Sequence, residues 1–171
     1  CASGIGFYGN RNDEWVTEQS EPGTDFLAYV CERWEQIAET ATQFGVRVVR
    51  LRFGIVLSQQ GGALPRMVLP FRLGFGGKFG SGYQYMSWIA LEDTIRAIQY
   101  CLENDSIQGA VNVVAPEPVT NNEFSEILAR VLHRPQMFTV PSFMLKTVLG
   151  EMAQPLLLDG ARVKPSKLLS S

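Results

Sequence analysis

Apolar positions along the chain switch between two periods. Phe26, Val30, Trp34, Ile37, Ala41 and Phe44 recur at steps of three and four, which predicts one amphipathic helix over 25–44, capped by Thr24 or Asp25 and stopped by Gly45. Val46-Arg-Val-Val-Arg-Leu-Arg-Phe53 then alternates with period two, the pattern of a strand. Further along, the pattern predicts a short helix over 64–72, a glycine-dense turn over 74–82 and a strand over 85–89. A helix opens at Glu92-Asp93 and runs through Leu102, a strand covers 110–115 and ends at Pro116, and a helix capped by Asn121 or Asn122 carries Phe124, Ile127, Leu128 and Val131 on one side. A strand over 138–141 and a helix over 143–149 follow.

Helices alternating with strands make an α/β protein, and ligands of such sheets bind outside the C-terminal strand ends. Two stretches occupy such ends, Ser3-Gly-Ile-Gly-Phe-Tyr-Gly9 and Arg52-Phe-Gly-Ile-Val56. Residues 10–24 are polar and turn-rich and predict a surface loop. Cys1-Ala-Ser-Gly reads as the end of a strand already under way, so an earlier part of the chain is expected.

Composition narrows the partners. The net charge is −2, with 15 basic and 17 acidic residues among 171, and no sustained basic run suits nucleic acid or a polybasic membrane surface. Apolar runs break before the roughly 18 residues a membrane span needs. Three cysteines without ligand spacing and a single histidine, His133, argue against a metal site, and the expected setting is cytoplasmic with reduced thiols. A small molecule or a protein is the expected partner.

Five stretches, taken in order, carry a resemblance. Ser3-Gly-Ile-Gly-Phe-Tyr-Gly9 resembles the Ser-x-x-x-Tyr-Gly stretch after the fifth strand of extended short-chain dehydrogenases, the NAD(P)-dependent epimerase/dehydratase family. DFLAYVCERWE (25–35), LRFGIVLSQQGGALPRM (51–67), PFRLGFGGKFGSGYQYMSWIALED (70–93) and NVVAPEPVTNNEF (112–124) resemble its epimerase family protein subgroup, also labelled cell-division-inhibitor-like. The closing 45 or so residues are similar to the C-terminal extension of unknown function in that subgroup. The resemblance implies the C-terminal part of a Rossmann-like, doubly wound parallel sheet plus a small α/β substrate lobe. Residues 1–117 would be the half-domain with interleaved lobe segments, and 118–171 the extension.

It also implies NADP or NAD as cofactor, although the glycine fingerprint that receives the pyrophosphate is not present in 1–171. By the same resemblance Gly54, Ile55 and Val56 contact nicotinamide through main chain, and Glu35 accepts a hydrogen bond from the cofactor's ribose or amide. Arg66, Lys78, Gln84, Ser87 and Trp88 flank the substrate, expected to be small, polar and nucleotide-sugar-like. The helix over 25–44 is a candidate homodimer contact.

The catalytic pair is where the chain departs from its relatives. Tyr29 and Arg33 stand one helical turn apart, as a Tyr-x-x-x-Lys pair would. If Glu35 is the glutamate that follows the lysine by four residues in relatives, then Cys31 holds the lysine position and Leu27 the tyrosine position. At about 100° per residue, Tyr29 and Arg33 lie nearly opposite those two, on a solvated face. Without a phenol beside a permanent cation, the proton donor passes to Ser3 or Tyr8. The alternative is a non-catalytic nucleotide-binding regulator.

Overall fold

The computed structural model describes the backbone of residues 1–171 and the side chains of all but Val148, Leu149 and Leu156. Its strands and α-helices begin with β1 (Ala2–Gly4), β2 (Trp15–Val16), α1 (Phe26–Glu39), β3 (Val49–Phe53), β4 (Ile55–Ser58) and β5 (Gly61–Gly62). Next come α2 (Ala63–Arg72), β6 (Gly77–Phe79), β7 (Tyr85–Met86), β8 (Trp88–Ala90), α3 (Leu91–Glu103) and β9 (Gly109–Val113). The chain closes with β10 (Val119–Thr120), α4 (Asn121–Val131), β11 (Phe138–Val140), α5 (Ser142–Leu149), β12 (Arg162–Val163) and α6 (Ser166–Ser170).

The main sheet is parallel, in the order β1-β3-β9. Period-two alternation sorts its side chains onto two faces. Leu51, Val111 and Val113 turn to the α3 side, where they pack with Ile89, Cys101 and Ile107. Ser3, Arg52 and Asn112 are paired neighbours across the three strands. They form one polar row on the opposite face, towards α1. Helices on both faces make the sheet doubly wound.

Helix α1 begins as its sequence requires, with the Asp25 carboxylate accepting the Ala28 N–H at 2.9 Å. It tightens into a 3-10 turn at Thr40–Phe44 and ends at Gly45, whose φ of +75° suits glycine. Its apolar stripe does not face the sheet: Phe26, Trp34, Ile37 and Phe44 are exposed in this chain. The buried line is Ala28 and Glu35, with Cys31 half-buried between them, about a third of a turn away. Small side chains on that line let the helix lie close to the β1 turn, where a Cβ on Gly6 would sit 3.6 Å from Leu27 and 3.9 Å from the Cys31 sulfur.

The small lobe is stitched from short pairs: β4 with β5 and β8, β7 with β10, and β6 with β11. Its helix α4 opens with a capping box between Thr120 and Glu123. The last residues return to the main body. β12 pairs with β2, and the Lys167 ammonium donates to the carbonyls of Gln108 and Ala110 at 2.6 and 2.7 Å.

Candidate functional site

A cleft of about 250 Å³ opens where β1 and β3 end. Gly4, Gly6, Phe53, Gly54 and Ile55 line one side, Asp25 and Leu27 come from the start of α1, and Tyr85, Ser87, Pro155 and Asp159–Ala161 belong to the small lobe. Gly54 makes this geometry possible. A Cβ there would lie 2.5 Å from the Ser87 carbonyl oxygen and 2.7 Å from Val114 Cγ1, so only glycine lets β4 leave β3 against β8. Gly160 is under the same constraint, its hypothetical Cβ 2.5 Å from the Tyr85 carbonyl. The result is a cleft bounded largely by bare backbone, the surface on which a flat ring can lie close.

Beneath it runs a buried polar chain. Glu35 is 2% exposed and takes Arg52 in a bidentate pair, Nε to Oε1 and Nη2 to Oε2, both at 2.8 Å. The Ser3 hydroxyl donates to Glu35 Oε1 at 2.7 Å. Arg52 Nη1 donates to the Tyr8 hydroxyl at 2.9 Å, and that hydroxyl donates to Asn112 Oδ1 at 2.7 Å. Asn112 Nδ2 in turn donates to the Lys164 carbonyl at 3.0 Å. The Arg52 guanidinium also lies 3.4 Å from the Phe7 ring centroid. Burial opposes the arginine's charge, yet its bonds to Glu35 and Tyr8 prevail and push its pKa above the ordinary value. Arg50 adds an ion pair to Glu39 at 3.2 Å.

Two of the expected site residues belong to this buried chain. Glu35 is engaged on both oxygens inside the fold, so it does not reach a cofactor ribose. Tyr8 is fully buried with its hydroxyl engaged in both directions, and burial raises its pKa, an effect the Arg52 charge only partly offsets. It does not line the cleft. Both roles were assigned by motif position, which does not register a partner as distant in sequence as Asn112. The signal was nonetheless in the chain: Glu35 and Glu39 at i,i+4 on one helix, Arg50 and Arg52 at i,i+2 on the next strand.

The other expected residues divide. Gly54, Ile55 and Ser87 line the cleft. Val56 pairs with Ile89 and packs in the α3-side core. The Ser87 hydroxyl donates to Ala161 O at 2.8 Å and accepts from Val163 N at 3.0 Å, which ties the extension to the lobe. Gln84 donates to the carbonyls of Phe79 and Leu157. Trp88 pairs with Ile55, and its buried indole N–H has no partner among the described residues. Arg66 is exposed on α2 and Lys78 lies in β6, neither of them lining the cleft. Tyr29 and Arg33 sit on the solvent face, with Arg33 Nε 3.5 Å from the Tyr29 oxygen. Leu27 lines the cleft where the family tyrosine is expected, and Cys31 is half-buried behind it.

Burial pushes the thiols of Cys31 and Cys101 above their usual range. Unfolded thiols ionise near about 8.5, while the folded ones keep their protons. The stabilisation is therefore full below that pH and is lost as pH climbs towards the raised values. Denaturation midpoints should hold to about pH 8 and fall by pH 10. Cys31→Ala should flatten that fall.

Comparison with known proteins follows the same outline. Residues 140–171 match a family described as a domain of unknown function, DUF1731. An epimerase family protein of Mycobacterium bovis is 46% identical over 167 residues, which cover 98% of this chain and 56% of the relative. Over nearly its whole length the chain is similar to epimerase family proteins. It spans about half the length of the curated relatives it matches. Two solved family structures superpose closely. The human epimerase family protein SDR39U1 (isoform 2), determined with NADPH, has a TM-score of 0.90 at 33% identity, covering 99% of this chain and 57% of that one. A nucleoside-diphosphate sugar epimerase of Corynebacterium glutamicum has a TM-score of 0.80 at 38% identity, covering 99% and 32%. The fold is thus that of the NAD(P)-binding epimerases. Among the described residues, no helix is long and apolar enough to cross a membrane, and no group of three metal-binding side chains comes together.

Proposed function

We propose that this chain forms the substrate-facing part of an NAD(P)-dependent oxidoreductase of the epimerase type, whose chemistry takes place in the cleft between β1, β3 and the small lobe. The observation that carries the reading is the bare-backbone wall of Gly4, Gly6, Gly54 and Ile55 at the strand ends. Gly54 has no room for a side chain, so its main chain is open to a planar ring. The human relative's NADPH makes a nicotinamide the natural occupant. The cofactor would supply hydride transfer to or from a carbonyl carbon.

The protein's own residues orient the substrate and shield it from water. Leu27 and Ile55 exclude water beside the ring. Ser3, held by Glu35, is a half-exposed hydroxyl next to Gly4 and the remaining candidate to hydrogen-bond a substrate oxygen. Leu27 and Cys31 at the pair positions favour a second reading, a nucleotide-binding regulator without turnover.

Full-length protein separates the two. The enzyme reading expects NADPH binding with hydride exchange to a carbonyl compound, and a loss of more than about tenfold in kcat for Ser3→Ala. NADPH binding without any exchange selects the regulator. Tyr8→Phe should cost about 1–3 kcal/mol of stability by leaving Arg52 and Asn112 short of a partner, while the folded fraction keeps its rate. A large rate loss in fully folded Tyr8→Phe protein would return Tyr8 to the chemistry.

A further inference from the structure

We infer that residues 159–171 form a strap that positions the small-lobe wall of the cleft, and that Lys167 is the positioning residue that fastens it to the sheet. The inference rests on the reading above only for what lies against that wall. It gives a physical task to the end of the segment that matches the domain of unknown function.

Asp159, Gly160 and Ala161 line the cleft. Directly after them, Arg162 and Val163 form β12 and pair in parallel with Trp15 and Val16 of β2. Ala161 and Val163 are buried in one cluster with Phe7, Tyr8, Val16 and Val114, so the strap is part of the packing beneath the cleft. The Ser87 hydroxyl grips it on both sides of Arg162, donating to the Ala161 carbonyl and accepting from the Val163 N–H.

The fastening lies at the outer edge of the sheet, where β9 has β3 on one side only. The Gly109 N–H donates to the Val48 carbonyl at 2.8 Å, and the Val113 carbonyl accepts from Gly54 at 3.1 Å, both on the β3 side. By alternation Gln108, Ala110 and Asn112 turn their peptide groups outward, the row that an edge strand leaves open. Lys167 and Glu18 stand in for a further strand. The Lys167 ammonium holds the carbonyls of Gln108 and Ala110, and Glu18 Oε1 accepts the N–H groups of Asn112 and of Lys167 itself at 3.1 and 3.2 Å.

Between fastening and wall the strap has no slack. The Lys164 N–H donates to the Val16 carbonyl at 2.9 Å, the Lys164 carbonyl accepts from Asn112 Nδ2, and Pro165 restricts the next φ. Asn112 also joins the strap to Tyr8 and, through Arg52 and Glu35, to Ser3. A side chain outside the cleft thus sets the wall, because each link between them is bonded or packed.

The test compares hydrogen exchange in full-length parent, Lys167→Met and Lys167→Arg proteins. Lys167→Met keeps the apolar stem without the ammonium, and should speed exchange of the Val163, Lys164 and Asn112 amides at least about tenfold while the β3 amides keep their rates. Lys167→Arg, whose fork reaches two acceptors, should keep the parent pattern. At saturating NADPH, acrylamide should quench the bound nicotinamide emission at least about twofold more strongly in Lys167→Met than in the other two. Faster exchange confined to 166–171, unchanged quenching, or a Lys167→Arg protein that behaves as Lys167→Met overturns the inference. Should Lys167→Met not fold, Lys167→Gln, which retains one donor group, carries the comparison on the same terms. If NADPH does not bind but the exchange results hold, the cofactor reading fails and the strap stands. If NADPH binds and the Val163 and Lys164 amides of Lys167→Met exchange as in the parent, the strap fails and the cofactor reading stands.

Discussion

Glu35→Ala lowers the unfolding free energy by about 3–5 kcal/mol, the cost of leaving a buried guanidinium without its carboxylate. Arg52 is 4% exposed and cannot turn to water, and the same substitution frees the Ser3 hydroxyl from its acceptor. Urea denaturation of single and double variants checks this. Arg52→Met alone should cost a similar amount, because Glu35 then stays buried with Ser3 as its main remaining partner. Glu35→Ala/Arg52→Met should cost clearly less than the two singles added, since no unpaired charge remains. Additive losses would mean that the pair is not coupled and that the buried chain is not one unit.

Gly54→Ala is the second large effect. The added Cβ meets a backbone carbonyl at 2.5 Å on one side and Val114 on the other, and the carbonyl of Ser87 is already held by the Ile55 N–H at 2.9 Å. Neither neighbour can give way without loosening the β4–β8 pairing. A loss of about 1–3 kcal/mol is expected from overpacking, and the widened cleft should weaken NADPH binding by full-length protein. Gly45→Ala is the control. Its Cβ would meet nothing within 4 Å, and only its left-handed φ is strained, so it should cost stability and leave NADPH binding intact. If Gly54→Ala is as stable as the parent and binds NADPH equally well, the close-approach account of the cleft fails.

The two substitutions probe features of different legibility. Gly54 could be singled out from the chain, because a glycine directly after an alternating strand in an α/β pattern marks a strand end where ligands sit. Its role also matched a known motif. Glu35 could be singled out as well, but not its partner: motif position points it at a cofactor, and packing turns it inward to Arg52. Arginines at alternate positions of a strand ordinarily signal a wet face. Here α1 covers that face, so the Arg52–Glu35 pair is dry while Arg50 and Glu39 stay partly exposed.

Helix α1 shows the same division. Its existence, cap and stop were written in local spacing, because a helix period and an N-cap depend on neighbours within a few residues. Which face it buries was not. The strongest apolar stripe stays exposed in this chain, and a line of small residues with one paired acid meets the sheet instead. Hydrophobic periodicity reports that a stripe needs a partner, not which surface supplies it.

The sequence by itself determined the α/β class, most of the principal elements and the family, because period, caps, glycines and motif order are local and read directly. It also located the absence of the Tyr-x-x-x-Lys pair, a matter of register along one helix. Only the tertiary structure decided that Glu35, Arg52, Tyr8 and Asn112 form one buried chain, and that Asp25 and Asp159 border one cleft. Both depend on residues up to 134 positions apart in sequence, such as Asp25 and Asp159, brought together by parallel pairing and by the return of the C-terminal segment. No local pattern encodes such a meeting.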